Sequence, residues 1–131
     1  MEDSIFTKII NGDIPSHKVY EDDKTFAFMD IHPIQPGQIL VVLKRQVRFL
    51  WELDDDDYQG VMTTVKKLAK RIGTVFSDKS HVGMHVEGLD VAHAHVKVFP
   101  FSTDDEFRHH PDMQVEPDHA LLAELAKKIQ L

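Results

Sequence analysis

The grouping of β-rich segments along the chain is the feature that most restricts its fold. Three apolar runs, HKVYED, TFAFMDI and ILVVLK, follow one another with only short turn or loop sequences between them. Two more, HVGMHVEG and VAHAHVKVFP, come together after a long helical segment. Strands that occur in groups, rather than alternating singly with helices, favour an antiparallel sheet. The sequence therefore predicts an α+β fold.

Three helices are predicted around this sheet. Ser4 can cap a short helix over residues 5–11, which Gly12 would end. The acidic run at 54–57 suits the positive end of a long helix that continues through YQGVMTTVKKLAKRIGTVF. The last segment, PDHALLAELAKKIQL, predicts an amphipathic helix. The polar stretch between Pro100 and Pro117, which includes RHHPD, is predicted to be a surface loop.

Composition narrows the class of protein and of partner. The formal net charge of −7 disfavours nucleic-acid backbones and anionic membranes, because both attract basic surfaces. The chain has no cysteine, so disulfides and thiolate metal sites are excluded. The start, MEDSIFTKII, lacks the pattern of a signal peptide, and no apolar run approaches the roughly 20 residues of a membrane span. We expect a cytoplasmic protein with a single domain over 1–131.

The stretch DVAHAHVKVFP carries the most unusual side-chain pattern. Read as a strand, it places His93, His95 and Lys97 on one face and apolar residues on the other. That polar face could be an ordinary solvated surface, a metal site or part of an active site. His81 and His85 share a face of the preceding strand, so pairing of the two strands could bring four imidazoles together. Against a metal, Lys97 would repel a cation.

Several motifs resemble those of the histidine-triad (HIT) nucleotide-binding proteins. HAHVKVFP is similar to the family signature His-φ-His-φ-His-φ-φ, where φ is apolar. SIFTKIINGDIP resembles the family's Ile-Phe-x-Lys-Ile-Ile-x-Gly-x-Ile-Pro opening, and FMDIHP its Phe-x-Asp-Ile-x-Pro strand end. The resemblance covers residues 4–101, and 102–131 adds a C-terminal loop and helix. It implies a meandering antiparallel sheet, a homodimer and no cofactor.

The resemblance also implies a chemistry and a set of residue roles. The chemistry is hydrolysis or transfer at the α-phosphate of a purine nucleotide or nucleotide conjugate, through a covalent nucleotidyl-histidine. His95 would be the nucleophile, His93 a neighbour that orients the site, and Asp30 the acceptor of the ribose hydroxyls. The backbone N–H of Val91 would contact the phosphate. The apolar positions around the base would be Phe6, Ile9, Phe28 and Ile31. From the residues alone, these apolar side chains could equally be core, and Asp30 could equally cap a turn.

Three positions depart from the family pattern. The third motif histidine is Lys97, the histidine of the Pro-Gly-His loop is Gln38, and the histidine after Lys-x is Gln46. A neighbouring ammonium would keep His95 neutral by like-charge repulsion and could bind phosphate, so Lys97 is a candidate catalytic residue. Gln38 is another, although an amide hydrogen-bonds without carrying a proton.

Three hypotheses about function follow from these observations. The first is a nucleotide hydrolase or nucleoside phosphoramidase that acts through its motif histidine. The second is a degenerate family member that binds a nucleotide without turning it over. The third is a metal-binding protein that uses the clustered histidines.

Overall fold

The sheet and helices of the protein form one α+β unit. A computed structural model describes residues 2–131. The elements are α1 (Ile5–Ile10), β1 (Lys18–Glu21), β2 (Thr25–Met29), β3 (Ile39–Leu43), a 3₁₀ turn (Leu50–Glu52), α2 (Asp55–Val75), β4 (His81–His85), β5 (His95–Phe101), α3 (Asp104–Arg108) and α4 (His119–Ile129). The strands form an antiparallel sheet in the order β1-β2-β3-β5-β4. The predicted α+β class is confirmed.

Both faces of the central strands are covered. β2 and β3 are buried at every position, because α2 and α4 pack on one face and α1 packs on the other. We call the face covered by α2 and α4 the helix face, and the face covered by α1 the outer face. The helix-face core unites strand residues such as Val41 and Val96 with the apolar stripes of α2 and α4. The outer face holds a smaller apolar cluster, Phe6, Phe26, Phe28, Leu40 and Val42.

The predicted starts of two helices are confirmed by their caps. The Ser4 hydroxyl oxygen accepts a hydrogen bond from the Thr7 N–H at 3.0 Å, and α1 begins at the next residue. The Asp54 carboxylate accepts one from the Asp57 N–H at 2.9 Å, which places the acidic run at the first turn of α2. These bonds satisfy N–H groups that have no partner within the helix.

The prediction of a loop throughout the stretch after Pro100 was wrong in part. Residues 104–108 form α3, whose Phe107 ring packs 4.9 Å from the ring of Phe101 and 5.6 Å from that of Phe99. Gly83 permits this packing, since a Cβ there would lie 2.8 Å from the Phe107 ring. A helix of five residues is too short to show a helical period, and its single apolar anchor gives no pattern to read.

β5 brings polar side chains to the outer face. His95 and Lys97 point to that face, while Val96 and Val98 join the helix-face core. The sequence pattern had placed His93 within this strand. The strand begins at His95, so His93 precedes it. His95 is 5% exposed and Lys97 9% exposed. Polar groups buried this deeply beside an apolar cluster mark the site described next.

Candidate active site

A cavity of about 540 Å³ lies between α1 and the outer face of the sheet. Most of its lining is apolar, and Asp30, His95 and Lys97 are among its polar residues. A volume of this size suits a small organic ligand. Eight residues predicted from the sequence line it: Phe6, Ile9, Phe28, Asp30, Ile31, Val91, His95 and Lys97. The other two predicted residues, His93 and Gln38, lie behind the lining.

His95 is held in one tautomer by a backbone carbonyl. Its Nδ1 lies 2.7 Å from the carbonyl oxygen of His93. A carbonyl oxygen only accepts, so Nδ1 carries the hydrogen and the neutral ring keeps its lone pair on Nε2. The Phe6 ring packs edge-on at 5.0 Å between centroids. Burial lowers the pKa of His95, and the charge of Lys97 acts in the same direction. The result is a neutral, oriented imidazole at the end of the cavity.

His93 is fully buried and bonded at both ring nitrogens. Its Nε2 donates to the Leu43 carbonyl oxygen at 2.6 Å, so Nδ1 accepts from the Ser4 hydroxyl at 2.7 Å. Burial lowers the pKa of His93, which favours this neutral tautomer. Ser4 thus caps α1 and anchors the residue whose carbonyl orients His95. His93 is therefore placed to position its neighbour without facing the cavity.

Lys97 forms an ion pair at the cavity wall. Its Nζ lies 2.7 Å from Oε1 of Glu87, in the loop that follows β4. The hydrogen bond from Lys97 lowers the pKa of Glu87. The Lys97 side chain is 11% exposed and that of Glu87 36%. Lys97 therefore brings a positive charge next to His95, and Glu87 partly neutralises that charge.

Asp30 is fixed from both sides at the end of β2. Its Oδ1 accepts from the His32 N–H at 2.9 Å, and its Oδ2 accepts from Nε2 of Gln38 at 2.8 Å. Burial raises the pKa of Asp30, and these two hydrogen bonds oppose that rise. The Asp30 carboxylate both caps the turn and lines the cavity, so the two readings of its role in the sequence are compatible.

The Gln38 side chain hydrogen-bonds to Asp30 and to the backbone of its own loop, and it does not line the cavity. It is 1% exposed, and its Oε1 accepts from the Ile34 N–H at 2.9 Å. Gly37, with φ of +93°, sets the turn that brings Gln38 inward, and a Cβ on it would lie 2.5 Å from the Phe76 ring. Both ends of the Gln38 amide are thus engaged in the structure.

Gln46, the third departure from the family pattern, contacts the N-terminal segment. Its Oε1 accepts from the Ser4 N–H and from the Thr7 hydroxyl, each at 2.8 Å, and its Nε2 donates to the Glu2 carbonyl at 2.9 Å. Gln46 therefore fastens α1 to the end of β3. Its contacts anchor the Ser4 cap that in turn holds His93.

The loop between β4 and β5 closes one side of the cavity. Val91 packs against the apolar cluster of the outer face, and its carbonyl accepts from the His93 N–H at 2.9 Å. Asp90 also lines the cavity. The side chain of Val91 is thus part of the wall. The contact that the resemblance implies would be made by the backbone N–H of the same residue.

The hypothesis of a metal site formed by four histidines is not supported. His81 stacks on Phe101 at the far end of β5, and His85 pairs with Lys97 across the strands. Both nitrogens of His93 are already occupied. Within residues 2–131 no group of three or more His, Cys, Asp or Glu side chains is placed to hold a metal ion. The strands do pair, but their register spreads the imidazoles along the sheet.

Part of the cavity wall comes from residues that the sequence analysis did not select. Pro111, Met113 and His119 line it from the segment that leads into α4, and His17 faces His119 from the start of β1. The prediction that RHHPD is surface was therefore wrong for Pro111. No periodic or turn signal marks this segment, because its position depends on how α4 packs against the sheet.

Comparisons with known proteins identify the family. A fold of this topology with a buried His-x-His at a ligand-sized cavity defines a histidine-triad type of domain, and the HIT domain model matches residues 11–104. An uncharacterized HIT-like protein from Borreliella burgdorferi is 36% identical over 114 residues, 82% of this chain and 81% of its own. The chain belongs to the HIT family.

Two further relatives extend this comparison. The crystal structure of a HIT-like protein from Bartonella henselae, involved in cell-cycle regulation and containing an unknown ligand, matches with a TM-score of 0.85. It is 32% identical, with 98% of this chain and 94% of that chain covered. The adenosine 5'-monophosphoramidase of Schizosaccharomyces pombe is 33% identical over 96 residues, 73% of this chain and 72% of its own.

No helix within residues 2–131 combines the length and the apolar character that crossing a bilayer requires.

Proposed function

We propose that this protein binds a purine nucleotide or nucleotide conjugate and hydrolyses it at the α-phosphate, as a nucleotide hydrolase or nucleoside phosphoramidase. The observation that carries the proposal is the His95 imidazole, buried, neutral and fixed with its Nε2 lone pair free. A nucleophilic imidazole has to be unprotonated and aimed, and this one meets both requirements. The yeast relative that acts on adenosine 5'-monophosphoramidate supports the same reaction class.

The chemistry proceeds in two displacements at phosphorus. Nε2 of His95 attacks the α-phosphorus, a P–N bond to the enzyme forms, and the bond to the leaving amine or phosphate breaks, with the amine taking up a proton from solvent. Water then attacks the nucleotidyl-histidine, the P–N bond to His95 breaks, the nucleoside monophosphate leaves, and the proton lost by the water passes to solvent. Negative charge grows on the phosphoryl oxygens in each transition state, and the Lys97 ammonium lies beside His95 to stabilise it.

The rest of the cavity suits a nucleoside. Asp30, held by the His32 N–H and Gln38, presents an oriented carboxylate as an acceptor for ribose hydroxyls. The Phe6 and Phe28 rings, 5.6 Å apart and edge-on, offer apolar surface to a flat base. Gln38 then contributes by holding Asp30, instead of donating to the phosphate.

A homodimer is the second part of the proposal. β4 is an edge strand beside α2, and Met84 of β4 is 49% exposed. Antiparallel pairing of β4 with its counterpart in a second copy would cover that edge and continue the sheet. Light scattering of the purified protein tests this. A monomer at micromolar concentration contradicts it, and Met84→Lys should dissociate a dimer that forms in this way.

Nucleotide binding without turnover is a competing function favoured by one observation. Lys97 is engaged by Glu87, and Gln38 is an amide that carries no transferable proton, so neither residue is free to protonate a leaving group. If the leaving group does not depart, the protein binds the nucleotide without hydrolysing it. In either case we propose a cytoplasmic protein without nucleic-acid or membrane partners, consistent with its charge of −7.

Turnover of an adenosine phosphoramidate with a fluorescent amine distinguishes the two functions. We expect hydrolysis by the native protein, loss of hydrolysis in His95→Ala, and no loss in His81→Ala, whose imidazole is exposed and outside the cavity. Intact mass spectrometry after an alkaline denaturing quench, which preserves the P–N bond, should reveal the nucleotidyl adduct. Calorimetric binding of AMP without any turnover would establish the binding function, and absence of both binding and turnover would refute the proposal.

A further inference from the structure

The cavity holds a single fixed positive charge. Of the described residues that line it, Lys97 is the only lysine or arginine, whereas Asp30 and Asp90 contribute carboxyl groups. Lys97 lies two residues after His95 on β5, so the two side chains leave the same face of the sheet. The Lys97 ammonium is therefore the side-chain charge placed to attract an anionic group bound next to His95.

Glu87 holds this ammonium from outside the cavity wall. Its Oε1 lies 2.7 Å from Nζ of Lys97, although Glu87 itself is not among the lining residues. Its charge nevertheless reaches the site, because Glu87 acts on the pKa of His95 in the direction opposite to Lys97. Water screens these charges less than it would on the surface, since both His95 and Lys97 are buried. An anion next to His95 would therefore experience attraction from Lys97 and repulsion from Glu87.

These charges bear on the choice of leaving group. A nucleoside phosphoramidate and a nucleoside diphosphate carry the same α-phosphoryl group, but the leaving group is an uncharged amine in the first and an anionic phosphate in the second. Lys97 can pair with the α-phosphoryl group, and the described lining offers no second lysine or arginine for further negative charge. The bond to phosphorus keeps the leaving group close to this place. An anionic leaving group would therefore be repelled by Glu87, whereas an amine would not.

We infer that Glu87, acting through its ion pair with Lys97, is a specificity-determining residue that makes the site favour uncharged leaving groups over anionic ones. The inference rests on the proposed function, since it concerns the leaving group of the same reaction. It assigns the discrimination to a residue outside the cavity wall, in the loop between β4 and β5, which the sequence pattern did not select.

Glu87→Gln isolates the charge of this residue. Glutamine has nearly the same shape as glutamate and keeps an oxygen that can accept the hydrogen bond from Lys97. Calorimetry with four ligands then varies the charge on one nucleoside. The ligands are adenosine, which is neutral, and the methyl ester of AMP, AMP and α,β-methylene-ADP, which carry about one, two and three negative charges at about pH 8. None of them offers a good leaving group on its α-phosphorus, so binding is measured without turnover.

The expected result is an effect that grows with the charge of the ligand. The native protein should bind α,β-methylene-ADP no more tightly than the methyl ester of AMP. Glu87→Gln should leave the dissociation constant of adenosine unchanged, lower that of the methyl ester about threefold, and lower that of α,β-methylene-ADP about tenfold or more. In turnover, the ratio of kcat/KM for an adenosine phosphoramidate to that for ADP should fall about tenfold in the variant.

Two further variants separate this charge effect from a structural one. Glu124→Gln removes an exposed carboxylate of α4 that pairs with Lys128 at 3.6 Å and does not line the cavity, and should leave every dissociation constant unchanged. Glu87→Asp keeps the negative charge in the same loop on a shorter side chain, and should retain the native order of the four affinities.

Failure of the inference can be distinguished from failure of the proposed function. The inference is overturned if Glu87→Gln leaves the four dissociation constants unchanged, or shifts all of them by one factor, as a merely structural role would. It is also overturned if the native protein gains affinity with each added charge. Native protein that binds neither adenosine nor any of its phosphates would instead overturn the proposed function, and the inference with it.

Discussion

Replacing Gln38 with methionine tests how the site is supported. Methionine has nearly the volume of glutamine, so packing is preserved while both amide hydrogen bonds are lost. The Ile34 N–H, on a residue only 7% exposed, would then have no acceptor. A stranded buried N–H costs about 1–3 kcal/mol. The lost bond to Asp30 adds less than its full value, because water in the cavity can replace the donor. We expect Gln38→Met to lower the free energy of unfolding by about 2–3 kcal/mol.

The size of this loss should depend on pH. Burial raises the pKa of Asp30 in the folded protein, and the Gln38 hydrogen bond opposes the rise. A carboxyl group with a raised folded pKa contributes stability that is fully present below its unfolded pKa and is lost as pH rises through the folded value. Without Gln38 the folded pKa rises further. The deficit of the variant should therefore be larger near neutral pH than in mild acid.

Urea denaturation at about pH 4.5 and about pH 7.5 measures both effects. Gln35→Met is the matched control, because Gln35 lies in the same loop and its side chain donates to the Glu106 carbonyl. Three results would refute the reasoning: a loss below about 1 kcal/mol at neutral pH, a loss equal to that of Gln35→Met, or a loss independent of pH.

Three other predictions concern the nucleophile and its supports. The pKa of His95 is held below its ordinary value by burial, so kcat/KM should stay level as pH falls through about 6.5 and decline only in more acid solution. Glu87→Gln removes a carboxylate that favours the protonated His95 ring, so the acid limb of that pH–rate profile should move to lower pH; a shift to higher pH would contradict the assignment. Ser4→Ala removes the α1 cap and the hydrogen bond to Nδ1 of His93, and should cost about 1–2 kcal/mol in urea denaturation. It should also lower kcat with little change in KM, and unchanged kinetics would show that His93 needs no anchor.

The fold was predictable where local signals and packing agree. The Ser4 and Asp54 caps, the apolar stripe of α2 and the alternation of β5 each specify a local structure that the tertiary packing then uses. α3 was missed because its stability comes from Phe107 entering an aromatic cluster above Gly83, a contact between distant parts of the chain. Such contacts leave no periodic trace in the sequence.

The residues of the candidate site were likewise predictable only in part from the sequence. Residue types with a characteristic spacing, such as His93 and His95, could be selected from the motif alone. The orientation of Gln38 could not, because it depends on Gly37 turning the loop inward and on the Ile34 N–H requiring an acceptor. The contribution of His119 was also hidden, since a helix that begins 24 residues after His95 has to pack before its first residue meets the cavity.

The two departures at the site differ in what they change physically. Gln38 lies behind Asp30, so under the proposed function the replacement of the family histidine there alters how the ribose end is held and leaves the charge at the phosphate end unchanged. Lys97 adds a full positive charge beside His95, but Glu87 brings the opposite charge to within 2.7 Å. The charges of Lys97 and Glu87 act on the pKa of His95 in opposite directions. In the proposed reaction, an α-phosphate next to His95 would compete with Glu87 for the same ammonium, so the stabilisation that Lys97 gives a nucleotide would be reduced by the cost of weakening this ion pair. We therefore expect the balance between Glu87 and the phosphate to govern how tightly the phosphate end is bound.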